Sequence, residues 1–142
     1  MSKPYTGGCA CGALRYEIDD EPVFSNHCHC DDCRHTSGTG HASYMTFPSR
    51  DKVRVTGVAS TFAMTGDSGN RKTKAFCSAC GSPVYLTFAA MPDLFTVNAG
   101  SLDDPSRFAP QAVTYGKRAR EWDRDWGRAD EGLTVFDTMP TP

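Results

Sequence analysis

The stretch CHCDDCR, residues 28–34, holds three cysteines within six positions, and two pairs flank it in the chain, CACG at 9–12 and CSACG at 77–81. These three clusters contain all seven cysteines of the 142-residue sequence. An odd count cannot be used up in disulfides, and closely spaced cysteines in a reducing compartment act as metal ligands or reactive thiols. How the seven divide decides how the chain folds.

The outer two clusters share a feature that the middle one lacks. In each, the second cysteine is followed at once by glycine, Gly12 and Gly81. A metal knuckle needs this: the chain turns tightly around the ion, backbone N–H groups point at the sulfurs, and a residue free to take positive φ closes the turn. Cys9, Cys11, Cys77 and Cys80 are therefore expected to share one Zn²⁺ in a closed four-thiolate tetrahedron that clamps two strand turns together. Ordinary buried cysteines are the alternative, and a disulfide inside CxC would close a small, strained ring.

Cys28, Cys30 and Cys33 remain. On a strand running into a helical turn, Cys28 and Cys30 share a face and Cys33 turns back toward them, so all three reach one ion. Three protein ligands with one exchangeable position mark a catalytic zinc, whereas four mark a structural one. A closed site completed by a histidine is the alternative, since His27, His29, His35 and His41 all lie nearby. His29, between two same-face cysteines, is expected on the opposite face. CxCxxC matches no common iron–sulfur spacing.

The rest of the sequence reads as one mainly β domain, at 1–126, followed by a peripheral polar tail at 127–142. Strands are expected at 13–18, 42–47, 53–56, 60–64, 74–76, 84–88, 95–99 and 111–115, where β-branched and aromatic residues are separated by Gly, Pro, Asp or Ser. GDSGN at 66–70 signals a turn. One short helix is expected over 31–37, capped by Asp31 and ended by Gly38, and a helical turn is expected near Pro105. With 39% hydrophobic residues and a mean hydropathy of −0.46, the core is thin enough to need a metal staple.

A net charge of −2 and a pI near 6.0 supply no basic footprint for nucleic acid or an anionic membrane. No run nears the roughly 20 apolar residues of a membrane helix, and the first residues carry no apolar signal segment, so a soluble cytoplasmic protein is expected.

GGCACGALRY at 7–16, CHCDDCRHTSG at 28–38, FCSACGSPVY at 76–85 and VNAGSLDDP at 97–105 resemble the glutathione-dependent formaldehyde-activating enzyme family, whose domain also occurs in centromere protein V. The resemblance spans about residues 5–126, with Trp122 or Trp126 as the tryptophan that closes the domain. It implies a β-tent of short antiparallel sheets pinned by zinc, with one or two short helical turns. It also implies two Zn²⁺ per chain, a structural ion on Cys9, Cys11, Cys77 and Cys80 and a catalytic ion on Cys28, Cys30 and Cys33.

The activity implied is a carbon–sulfur lyase acting on glutathione and formaldehyde, with glutathione or another small thiol as partner. Arg34, then Arg71 with Lys72, are the candidate cations for glutathione's carboxylates, and His29, His35 or His41 is a candidate proton shuttle. Two other readings stand beside it: a non-catalytic zinc domain that binds a thiol metabolite or a protein partner, and a structural module. The chain has no basic extension to favour the last.

Overall fold

Ten short strands form two sheets in the computed structural model, which describes residues 3–66, 68–123, 134 and 136–139. The first sheet has three antiparallel strands in the order β1 (Tyr5–Gly8), β2 (Arg15–Ile18) and β5 (Val53–Thr56). The second contains β3 (Phe24–Cys28), β4 (Ala42–Phe47), β6 (Ser60–Thr65), β7 (Arg71–Phe76), β8 (Pro83–Phe88), β9 (Phe95–Asn98) and β10 (Ala112–Thr114), in the order β10-β3-β4-β9-β8-β7-β6. The fold is mainly β, as expected. One pairing departs from the antiparallel expectation: β10 runs parallel to β3, with Ala112 opposite Asn26 and Thr114 opposite Cys28. The long connection from β9 returns the chain beside β3 in the same direction, which a hairpin cannot do.

The period of two explains which side chains form the core. Tyr16 and Ile18 alternate inward on β2, and Tyr44, Met45 and Phe47 are buried on β4. With Tyr5, Leu14, Val84, Phe95 and Val97, the side chains of Tyr16, Ile18, Met45 and Phe47 make one apolar cluster. Burying each such side chain contributes about 1.5–3 kcal/mol. A second, smaller cluster consists of Cys28, Cys30, Cys33, Ala42, Tyr44 and Leu86, so the middle cysteines are themselves core residues.

The helix α1 (Asp31–Ser37) has the expected bounds, but its cap is Cys30 rather than Asp31. The Cys30 sulfur accepts the Cys33 N–H at 3.2 Å. Asp31 instead occupies the first turn, where a carboxylate favours the helix dipole. Gly38 ends the helix at φ 75. The 66–70 turn joins β6 to β7, with the Gly69 N–H on the Gly66 carbonyl and Gly69 at φ 88. Five 3-10 turns, more than expected, fill the connections among the described residues, including Pro105–Arg107 capped by Asp104. Trp126 and most of the 127–142 tail lie outside the described residues. No helix among the described residues is long and apolar enough to cross a membrane.

Candidate metal centres

The β1–β2 and β7–β8 turns carry the outer cysteines, so the two turns belong to different sheets. Both are closed the same way. Gly12 N–H bonds the Cys9 carbonyl at 3.2 Å and Gly81 N–H bonds the Cys77 carbonyl at 2.8 Å, with Gly12 at φ 82 and Gly81 at φ 76. The glycines are needed for backbone conformation, not for space, because a Cβ at either would meet nothing within 4 Å.

The four sulfurs Cys9, Cys11, Cys77 and Cys80 lie within 4.8 Å of one another. Cys9–Cys11 is 3.6 Å and Cys11–Cys77 is 3.7 Å. A tetrahedral zinc with Zn–S bonds near 2.3 Å separates its sulfurs by about 3.8 Å, so this donor set fits the ion. Surrounding groups favour thiolates. The Leu14 N–H, 3.2 Å from Cys9 Sγ, holds that thiol below its ordinary pKa. Ser82, through its hydroxyl and then its backbone, brings Cys80 down to about 5. Ser82 also ties the two turns together, because its Oγ accepts the Ala10 N–H at 3.1 Å.

Cys28 ends β3, Cys30 caps α1 and Cys33 sits in the helix's first turn, which brings three buried sulfurs within 4.8 Å of one another. Cys30 and Cys33 are 3.0 Å apart, and the Tyr44 hydroxyl donates to Cys33 at 3.5 Å. The sulfurs divide their ionisation. Hydrogen bonds from Cys30 and then Cys33 hold Cys28 down to about 2, while Cys28 and then Cys30 push the Cys33 thiol far up. The all-sulfur donor set suits a soft or borderline ion such as zinc, which could take all three as thiolates.

No histidine among the described residues joins this triad. His29 turns to the other face, as expected, and His27 lies there with it; both rings lie against His41. His27 Nδ1 shares a hydrogen bond with Ser43 Oγ at 2.7 Å, and His35 Nδ1 shares one with the Asp31 carbonyl at 2.8 Å.

Of the candidate cations, Arg34 lies 3.8 Å from Asp31 across one helical turn, and Arg71 is exposed at the start of β7. Lys72 is different: its ammonium lies 2.5 Å from Asp32 Oδ2, and Lys74 bonds the other oxygen of the same carboxylate. Asp32 is only 7% exposed, so α1 and β7 are joined by a nearly buried ion triad next to the cysteines. Burial works against the Lys72 charge, yet Asp32 and the Cys33 sulfur raise its pKa overall. Lys74 and Asp32 were not singled out from the sequence. Alternation along β7 was the available signal, since residues 72 and 74 of one strand share a face. Lys74 also lines a cavity of about 340 Å³ with Thr36, Phe62, Tyr85, Leu86 and Asn98.

A β fold that brings seven thiols into one four-sulfur and one three-sulfur cluster defines a cysteine-clamped domain with metal-ligand geometry. Residues 4–118 match the sequence model of the glutathione-dependent formaldehyde-activating enzyme, and the chain belongs to that family. A Halomonas elongata protein provisionally named a glutathione-dependent formaldehyde-activating enzyme is 27% identical over 111 residues, 75% of this chain and 71% of that protein. A crystal structure of a Rhodobacter sphaeroides protein shares the fold at a TM-score of 0.59 and 22% identity, covering 77% of this chain and 99% of that one.

Proposed function

We propose that the protein catalyses the reversible addition of the glutathione thiol to formaldehyde, giving S-(hydroxymethyl)glutathione, or acts on a related glutathione conjugate, and so is a zinc-dependent carbon–sulfur lyase. The observation that carries this reading is the triad of buried cysteines that no described histidine completes. When bound at Cys28, Cys30 and Cys33, zinc would supply an exchangeable fourth position that stabilises a thiolate at neutral pH.

The chain's own groups fit the remaining needs. Three cysteine thiolates outweigh a dication, so the site favours thiol activation over carbonyl polarisation. Lys72 and Lys74, fixed by Asp32, place two positive charges beside that negative cluster and suit an anionic thiol. Tyr44 holds Cys33 in place. The cavity lined by Lys74 shares Leu86 with the cysteine cluster, and Phe62 and Tyr85 give it apolar sides.

In the same reading Cys9, Cys11, Cys77 and Cys80 hold a second, structural zinc, making two per chain. The domain spans residues 1–126, supported by the family match over 4–118, and the protein works in the reducing cytoplasm, where glutathione keeps thiols free.

Exchange NMR on ¹³C-formaldehyde and glutathione measures adduct formation directly. The zinc-loaded protein should accelerate exchange between free and adduct carbon above the uncatalysed rate, and Cys33→Ser should abolish the acceleration. An unchanged rate with glutathione bound would overturn the lyase and leave a thiol-binding domain in its place.

A further inference from the structure

The opposite face of the CHC segment carries a second kind of donor set. His29 follows β3, His41 directly precedes β4, and Asp123 ends the last described 3-10 turn, yet one ligand atom from each lies within 4.8 Å of the others. In the ion-free site His41 Nδ1 shares a hydrogen bond with Asp123 Oδ2 at 2.5 Å, and His29 Nδ1 is 3.8 Å from the same oxygen.

We propose that His29, His41 and Asp123 form a divalent-cation site of nitrogen–oxygen type, separate from both thiol clusters. Two imidazoles and a carboxylate suit zinc, iron(II) or cobalt(II) and, unlike thiolates, do not select for soft ions. Three further observations support it.

First, Asp123 is close to buried, with its side chain 11% exposed, and its ion-pair partners among the described residues are these two imidazoles, with no Lys or Arg among them. A carboxylate removed from water needs positive charge beside it. A dication meets that need and takes both imidazoles as ligands.

Second, the backbone is cut away to admit the carboxylate. A Cβ at Gly40 would sit 2.5 Å from Asp123 Cγ, so the approach of Asp123 depends on glycine beside His41.

Third, the surrounding groups orient the ligands. His27 stands edge-on to His41 with ring centroids 4.9 Å apart, and its own Nδ1 is occupied by Ser43. His41 also lines an open cleft of about 670 Å³ together with Ser37, Thr39 and Ser43. Coordination positions not filled by protein would therefore face solvent or a ligand in that cleft.

The test uses the purified protein with any zinc already on its thiols left in place, titrated with Co²⁺ and followed by calorimetry, visible absorption and paramagnetically shifted proton NMR. One additional equivalent should bind. It should give d–d bands without the sulfur-to-cobalt charge-transfer absorption of a thiolate site, and shift histidine ring protons. Asp123→Asn keeps a hydrogen-bond acceptor for His41 but removes the charge; His41→Ala removes one nitrogen. Each should weaken the extra equivalent by at least the about 10- to 100-fold that loss of even an outer-shell partner costs a metal site, with the zinc on the thiols unchanged. A wild-type protein that takes up no extra cobalt, or takes it up with thiolate charge transfer, overturns the proposal. So do variants that bind cobalt as the wild type does.

Discussion

The ammonium of Lys72 lies 2.5 Å from Asp32 Oδ2, and Asp32 stands between the second and third cysteines of the triad. The carboxylate also receives Lys74, so one nearly buried anion holds two cations of β7 against α1. Removing it leaves two ammonium groups, 12% and 17% exposed, without the carboxylate that pairs with both. Asp32→Asn is therefore expected to cost about 3–5 kcal/mol, the usual result of breaking a buried ion pair from one side. Lys74→Met, which leaves the Lys72–Asp32 pair intact, should cost less. Urea denaturation of the two variants gives the order directly.

The two thiol clusters differ in what they join. Cys77 meets Cys11 across two sheets, whereas Cys28, Cys30 and Cys33 lie within one local stretch. Elemental analysis of the zinc-loaded protein should find two ions per chain. Cys30→Ser should leave a folded protein with one, and Cys77→Ser should lose the cooperative fold. Two variants that behave alike would overturn the four-plus-three division.

At the knuckles, backbone conformation and not crowding demands glycine. Gly12→Ala should cost about 1–2 kcal/mol, the price of a left-handed conformation for a residue with a Cβ. Gly100→Ala is the control, because that glycine has open space and no positive φ, and it should fall within about 0.5 kcal/mol of the wild type. Equal losses at both positions would refute the conformational account.

Arg15 grips Asp103 with both nitrogens, at 2.8 and 2.5 Å, and with the Thr6 hydroxyl it brings the Asp103 carboxyl down to about 2. A carboxyl whose folded pKa is depressed stabilises the fold above its unfolded pKa, about 3.9. That contribution fades as pH falls from about 4 toward about 2. Both side chains are more than one-third exposed, so solvent screening keeps the effect below about 1 kcal/mol. The stability difference between wild type and Asp103→Asn should be largest near neutrality and close across that interval. A gap that persists at the acid end would contradict this assignment.

Where local chemistry sets the structure, the sequence was sufficient. The bounds of α1, β4 and β5 follow from helix stops and β-branched runs, and Gly12 and Gly81 mark the knuckle turns before any coordinates are known. β3 was expected only where the chain enters the helix at Cys28, and its body was not marked because FSNHC offers almost no strand-forming residues; its Ser25 and Asn26 are buried by partners supplied from the far end of the chain. Ser25 N–H bonds Gln111 Oε1 at 3.1 Å, and Asn26 Nδ2 bonds Thr114 Oγ1 at 3.0 Å. β1 was missed because of its two glycines, yet a side chain at Gly7 would run into the Tyr16 ring and the Ser101 carbonyl. The cysteine groupings were visible in spacing alone. Asp123 was not, because nothing near it in sequence marks it as a partner of residues 29 and 41.

Sequence distance also separates the two thiol clusters in time. A nascent chain that has reached Cys33 already holds every sulfur of the triad, while the clamp waits until Cys80 has been synthesised and the two sheets can meet. Cys30 and Cys33 are three residues apart, but Cys11 and Cys77 are 66 apart. The triad can gather its thiols as a short peptide does, at little entropic cost, whereas the clamp must close a long loop. In the proposed two-zinc reading, ion capture by the clamp would therefore be inseparable from docking one sheet on the other. On a growing chain, the same reading makes the triad the earlier trap and the clamp the lock that would close last.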